Sequence, residues 1–334
     1  MSKEKDLEFL VDISKSGKEN DWKGKKELST MLSESYLRLA NKKENEVIRD
    51  YLLNKHLQVK HCTNYLAFAE TTDGGKKLVD ARFCRIRLCP MCTWRRTKKV
   101  FSQLSNIVKE INKDREREYI FLTLTCKNVS GNELKDKIKD LLQAFKRMMD
   151  RNERIKKINL GYFRGLEVTR NEKEGTYHPH IHCVICVNKS YFTSRDYISQ
   201  KEWCEIWKYY LKTDYIPNVD VRKATKTYKS IAELSSYTVK PKDIILEADE
   251  ETMDNNIMIL HSALHRVRLI GMGGIFKEYH KKLNLEDMNK EDANLINTDT
   301  EKEDDSLTTD ILLKYSWNIG YKNYVLVEKT NKKL

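Results

Sequence analysis

Apolar and polar positions follow two periods along this chain, and the switches between them mark out its elements. In 118–127 (EYIFLTLTCK) the period is two, which predicts a strand with Phe121, Thr123 and Thr125 on one face and Leu122 and Leu124 on the other. Ser130 to Glu133 then has the S-x-x-E form of a capping box, and Leu134, Ile138, Leu141, Leu142, Phe145, Met148 and Met149 follow at helical spacing. That predicts an amphipathic helix over 133–150. Two strands come next, one over 162–169 and one running from Tyr177 through 183–187, joined by a turn-rich loop containing Gly175. They predict an antiparallel pair. A second S-x-x-E, Ser199 to Glu202, opens a helix bearing Trp203, Ile206, Trp207, Tyr210 and Leu211. A strand is predicted over 218–223 and a helix over 229–240, stopped by Pro241.

The flanks are less periodic. Residues 1–58 are polar, with partial apolar stripes at Leu28, Leu32, Tyr36, Leu39, Ile48 and Leu52, and predict helices beside a loose tail. Two short strands, 65–69 and 77–81, flank the turn signal Asp73-Gly74-Gly75. A helix is expected around 258–267. Gly271-Met272-Gly273-Gly274 is expected to be a turn, because it lacks the Lys-Ser/Thr of a phosphate loop. Residues 284–310 are acidic and Asn-rich and read as a linker, and 311–334 as terminal strands.

Charge adds a partner. The 334 residues carry a net charge of +12, which points to a polyanion, nucleic acid first, although a Lys-rich solvated surface would give the same excess. The N-terminus shows no apolar signal region, and no apolar run approaches the roughly 18 residues of a membrane span. A cytoplasmic protein with no membrane partner is expected. Its eight cysteines then serve as metal ligands or core residues rather than disulfides.

Three stretches carry candidate chemistry. Cys62, Cys84, Cys89 and Cys92 lie within 59–100, the last two as a C-x-x-C knuckle, and four thiolates suit a structural Zn2+. His61 could stand in for Cys62. A core or redox role is the competing reading of the knuckle. Trp94, Arg95, Arg96, Lys98 and Lys99 follow directly, as either a phosphate-contacting surface or the first turns of a solvated helix. In Tyr177-His178-Pro179-His180-Ile181-His182, three histidines at alternate positions share one strand face, close enough for one metal ion. In the helix over 229–240, Glu233, Tyr237 and Lys240 share a face as carboxylate, nucleophile and cation, a pattern that taken alone is usually structural.

The ordered set FLTLT, HPHIH and E-x-x-x-Y-x-x-K, with the upstream RLCPMCTWRR and the stretch YFTSRDYISQKEWCEIW, resembles the rolling-circle replication initiators (Rep proteins) of small Gram-positive plasmids, within the HUH endonuclease superfamily. The resemblance covers roughly 60 to 285. It implies an α+β fold with a central antiparallel sheet and packed helices, a nuclease domain over 101–245, and a helical extension over 246–283. It implies that His180 and His182 hold a divalent metal (Mg2+ or Mn2+). Tyr237 matches the nucleophile that forms a 5′-phosphotyrosyl link, and Glu233 the carboxylate thought to activate water at termination. Lys240 or the metal would help lower the phenol's pKa. A third metal ligand is needed, with Glu167 the first candidate and His178 the second. The expected partners are plasmid origin DNA, single-stranded or hairpin at the nick, and a host helicase and polymerase. Competing readings are a transposase or relaxase of the same superfamily, a non-catalytic zinc-dependent DNA-binding regulator, and a histidine-triad nucleotide hydrolase.

Overall fold

A computed structural model describes residues 7–14, 17–224, 249–290, 292–298 and 308–331. Two antiparallel sheets and eight α-helices occur among the described residues. The chain is therefore α+β, as expected. It divides into two compact units, one formed by 1–99, 248–254 and 294–334, the other by 100–247 and 255–293.

The second unit is built on a five-stranded sheet. Its strands are β3 (Arg117–Leu124), β4 (Gly161–Asn171), β5 (Thr176–Asn188), β6 (Val219–Lys223) and β7 (Ile270–Gly274), in the spatial order β6-β3-β5-β4-β7. The predicted β4–β5 hairpin forms, with Glu167 opposite His180 and Gly165 opposite His182. On the other flank of β5, Thr123 lies opposite His182. Because β5 is paired on both sides, its apolar run is fully enclosed: Cys183, Ile185, Cys186 and Val187 are all buried to completion.

Alternation sends Ile181, Cys183 and Ile185 to one face of this sheet and the histidines to the other. The first face meets α4 (Leu134–Arg151), whose Ile138, Leu141, Phe145, Met148 and Met149 are buried. Phe145 packs edge-on against Tyr162 at 5.2 Å. Truncating such a ring to Ala costs about 3–5 kcal/mol. Helix α4 starts at Leu134, three residues later than a full capping box on Ser130 would put it. Glu133 does reach back to the Ser130 amide at 3.1 Å, but no side chain caps the helix. The second box is complete: Ser199 and Glu202 bond reciprocally at the start of α6 (Gln200–Leu211). Short helix α5 (Glu153–Ile158) links α4 to β4.

Two expectations in this unit are corrected. The helix predicted around 258–267 is α7 (Glu250–Ala263), eight residues further upstream at its start. The glycine cluster expected as a turn is edge strand β7, paired with β4 and followed by α8 (Ile275–Lys282). Packing explains the second difference. A Cβ on Gly271 would lie 2.8 Å from Arg164 Nε, and one on Gly273 would lie 2.6 Å from a Tyr162 ring carbon. The glycines give β4's long side chains room to lie across the edge strand, and composition alone reads such a run as a turn.

The first unit combines stretches far apart in sequence. Hairpin β1 (Tyr65–Thr71) and β2 (Lys76–Ala81) joins β8 (Thr308–Asn318) and β9 (Asn323–Asn331) in the order β2-β1-β8-β9. The N-terminal tail is tied down: Leu10 N–H donates to Tyr324 O and Leu326 N–H donates to Glu8 O. Helices α1 (Trp22–Asn41) and α2 (Glu46–Lys60) belong to the same unit. Trp22 packs edge-on against Phe68 of β1, which in turn meets Tyr315 of β8. The long helix α3 (Pro90–Asp114) begins here, with Pro90 at the first position, where a missing N–H leaves no bond unmade.

Candidate metal centres

In the first unit, the Sγ atoms of Cys62, Cys84, Cys89 and Cys92 lie within 4.8 Å of one another. Three of the separations are 3.6 to 3.7 Å. Four sulfurs about 2.3 Å from a central Zn2+ make a tetrahedron with edges of about 3.8 Å, so the spacing fits that ion. The end of α2 supplies Cys62, the segment after β2 supplies Cys84, and the entry and first turn of α3 supply Cys89 and Cys92. Backbone N–H groups of Cys84 and Arg85 point at the Cys62 and Cys92 sulfurs at 3.4 and 3.2 Å. Burial resists charge on these thiols and pushes Cys84 and Cys92 up. Burial also opposes the Cys89 thiolate, but hydrogen bonds from the other three cysteines and Ser29 hold that thiol low. Coordination to a cation ionises a thiol outright. His61 is exposed beside the cluster and its Nδ1 faces Asn64, so Cys62 is the member present.

Lys26 of α1 is buried against this knuckle. Its ammonium donates to Lys60 O, Cys62 O and Asn64 Oδ1 at 3.0, 2.6 and 2.6 Å. Burial lowers its pKa, and the negative charge of Cys62, Cys89 and Cys84 opposes that shift.

The cations after the knuckle are not all where a phosphate could reach them. Arg95, Arg96 and Lys99 are 6%, 2% and 7% exposed. They donate to the backbone carbonyls of Leu295 and Ile296, of Arg85, and of Asn294 respectively. These three side chains brace the unit's interior rather than forming the expected surface. A helix N-terminus packed on its own unit buries its first cations, and sequence alone does not show that packing. Trp94 packs on Trp22 at 4.8 Å, and the Lys98 ammonium lies 4.6 Å from the centre of its ring.

In the second unit, Glu167, His180 and His182 place their ligand atoms within 4.8 Å of one another. Glu167 Oε2 is 3.1 Å from His182 Nε2 and 3.5 Å from His180 Nε2. Strand pairing produces this arrangement, since all three residues face the same side of β4 and β5. His180 Nδ1 lies 3.1 Å from His178 O, a pure acceptor, so that nitrogen carries a proton and Nε2 is the atom turned towards Glu167. His182 Nδ1 lies 3.1 Å from Thr123 Oγ1, which can accept its proton in the same way. Two imidazole lone pairs and a carboxylate oxygen at this spacing require positive charge between them. Protons on the imidazoles or a bound cation would supply it. Burial opposes the Glu167 charge, yet hydrogen bonds and positive charge from His180 and His182 hold its carboxyl well below the usual carboxylate range. Ligands in adjacent positions of an octahedral cation with bonds of about 2.1 Å are about 3.0 Å apart, so a Mg2+-sized ion fits.

His178 stands outside this trio. Its ring lies 5.1 Å from that of His180, and its carbonyl, not its imidazole, serves the site. Burial, with the charge of His180, lowers its pKa. Thr123, on the strand that the sequence singles out as FLTLT, has a partner that sequence reasoning does not give: His182 Nδ1. Alternation gives it a face of its strand but no partner, because the register that sets it opposite His182 is long-range. Phe121 lies beside the His182 ring, and the Arg222 guanidinium of β6 sits 4.4 Å from the Phe121 ring centre. Glu233, Tyr237 and Lys240 lie outside the described residues.

Comparison with known proteins gives one family. A family model described as "Replication protein" matches residues 75–325. A "Protein rep" from Bacillus amyloliquefaciens is 37% identical over 97% of this chain and 99% of its own length. Another from Streptococcus pneumoniae is 38% identical over 96% of each chain. A third, from Lentilactobacillus hilgardii, is 35% identical over 95% of this chain and 98% of its own. No solved structure matches the chain.

Proposed function

The chain belongs to the replication-protein family, and from that premise we propose that it initiates rolling-circle replication of a plasmid by nicking one strand of the origin. The observation that carries this reading is the convergence of Glu167, His180 and His182 on the two central strands, with both outward-turned Nδ1 atoms already hydrogen-bonded. Three protein ligands leave positions open, which is the mark of a centre that handles substrate rather than one that only holds a fold. Glu167, His180 and His182 would hold a divalent cation, Mg2+ or Mn2+, which would supply charge neutralisation and orientation of the scissile phosphodiester.

The protein's own residues do the rest. The hydroxyl of Tyr237 attacks phosphorus, and a phosphotyrosyl bond forms as the P–O3′ bond breaks. The DNA 5′ end stays on the protein, and the leaving oxygen takes a proton to become a 3′-OH that a host polymerase can extend. Lys240 favours the phenolate by its charge. Glu233 draws a proton from water at termination, so the second cleavage needs no second covalent link. Cys62, Cys84, Cys89 and Cys92 would hold a structural Zn2+, which would fix the start of α3. A host helicase unwinds the plasmid, and the protein acts on it in the cytoplasm.

The test uses a supercoiled plasmid carrying the cognate origin with Mn2+ or Mg2+. Wild-type protein should give a nicked circle with protein on its 5′ end. Tyr237→Phe should bind the origin normally and give no nick. Covalent adducts from Tyr237→Phe would overturn the assignment. Binding without any nicking by the wild-type chain would favour a non-catalytic regulator.

A further inference from the structure

The face of the five-stranded sheet turned away from the histidines carries a groove of about 930 Å3. Tyr162, Arg164 and the backbone of Gly271 line its floor. On β4, Tyr162 and Arg164 alternate with Phe163, Gly165 and Glu167, so they point away from the candidate metal centre. One side is α4, where Lys135, Lys139 and Lys146 line the groove. Spacings of four and seven residues put all three on one helix face, over about 16 Å of helix. The other side brings Arg266 and Arg268, which follow α7, and Lys277 of α8. Asp136 and Asp287 also line it, and Arg268 is paired with Asp287 at 3.1 Å.

All six of these cations are exposed, and for five of them no ion pair forms among the described residues. Salt screens exposed charges in part, yet six cations against two carboxylates leave the groove with a positive field that attracts a polyanion. The floor is in the same condition. Arg164 donates to the carbonyls of Arg268 and Leu269 at 3.2 and 3.1 Å, neutral acceptors that leave its charge uncompensated. Burial pushes its pKa down to about 10. The glycines of β7 sharpen the point, because a side chain on Gly271 would collide with the Arg164 guanidinium.

We infer that this groove holds the sugar-phosphate backbone of single-stranded DNA, as a second binding surface on the side of the sheet away from Glu167, His180 and His182. The inference rests on the reading of the chain as a protein that acts on DNA, but not on the nicking chemistry. The Lys135–Lys139–Lys146 row offers successive phosphates a track, as in sequence-independent strand binders, and Tyr162 places an aromatic ring in it. The Tyr162 ring in the track favours an unpaired strand, whose bases are free to stack, over a duplex, whose bases are not. A strand held here stays on the protein while the other face works on the phosphodiester.

The test measures fluorescence anisotropy of a labelled single-stranded oligonucleotide lacking the origin sequence, titrated with the full chain at several salt concentrations. Lys139→Glu/Lys146→Glu changes two exposed side chains and should leave the melting temperature unchanged. It should weaken binding at least ~10-fold and flatten the salt dependence by about 0.7 in log–log slope for each phosphate no longer neutralised. With a bromodeoxyuridine-substituted strand, ultraviolet crosslinks should map to Tyr162 or to α4 in the wild-type chain. Unchanged affinity and slope, crosslinks mapping elsewhere, or a double variant that loses duplex binding alone would each overturn the inference. The two readings fail separately: wild-type chain that binds the strand through the groove without nicking overturns the nicking proposal alone, and unchanged strand binding by Lys139→Glu/Lys146→Glu overturns the groove alone.

Discussion

The two ligand clusters make an instructive pair. Each brings side chains from separate elements within 4.8 Å. The cysteine cluster has four soft donors, all but Cys84 fully buried, with backbone amides directed at its sulfurs. No position is left for anything else. The Glu167–His180–His182 cluster has three harder donors on the rigid middle of a sheet, each hydrogen-bonded from behind or beside. On the proposed reading, donor number and softness separate a centre that would hold a fold from one that would present a metal to substrate. They also say what should break when each is damaged.

The largest effect is expected at the cysteines. Cys89→Ser removes one of the four sulfurs, the one whose thiol is held low by hydrogen bonds from the other three cysteines and Ser29. Bound zinc should fall to near zero by metal analysis. Hydrogen exchange should open in β1 and β2, with a loss well above ~3 kcal/mol, because the metal's binding energy is folding energy. A variant that kept its melting temperature without zinc would remove the distinction between the clusters. Next comes His182→Ala. Nicking should drop at least ~100-fold with Mn2+ at a fixed concentration, while the melting temperature moves by only a few degrees. Equal damage to stability and activity would mean that the trio is a structural site like the cysteines.

Much of this contrast is legible in the sequence, and the rest is hidden for definite reasons. The C-x-x-C knuckle and the alternate histidines are local patterns, and local patterns survive without a fold. The β4–β5 hairpin is legible too, and it puts Glu167 near His180. The burial of Arg95, Arg96 and Lys99 is not, since for Arg95 and Lys99 it depends on carbonyls about two hundred residues away. The strand β7 reads as a turn because its glycines serve the neighbouring Tyr162 and Arg164, and nothing in their own spacing shows that. The tie between the N-terminal tail and β9 is long-range, and so is the 2.8 Å bond from the Tyr324 hydroxyl of β9 to Thr63 O beside Cys62.

A smaller effect should come from Lys26→Met, which tests whether the cysteine cluster depends on its surroundings. Four thiolates around one Zn2+ leave net negative charge in a buried place, and Lys26 is the ammonium beside it. Methionine keeps the apolar stem but leaves Lys60 O, Cys62 O and Asn64 Oδ1 without their donor. Charged hydrogen bonds of this kind are worth about 1.5–3 kcal/mol, and a melt should lose about that much. Zinc should also leave faster in a chelator competition. A loss of stability with zinc release unchanged would confine Lys26 to bracing the chain.

Thr123→Val should have the mildest effect, and it bears on the other cluster. Valine has nearly the shape of threonine and suits a strand at least as well, so β3 should keep its place between β5 and β6. What disappears is the Oγ1 partner of His182 Nδ1, 3.1 Å away. Partners of this kind hold a ligating imidazole in one tautomer and one orientation, and losing them costs about 10- to 100-fold in metal affinity. The low end is expected here, because Glu167 and His180 remain and the ring still packs beside Phe121. The midpoint of a Mn2+ titration of nicking should rise about tenfold, with the rate at saturating Mn2+ close to wild type. Thr123→Ser, which keeps the hydroxyl, should restore the midpoint. A lower saturating rate with the midpoint unmoved would show that Thr123 acts on the DNA and not through His182.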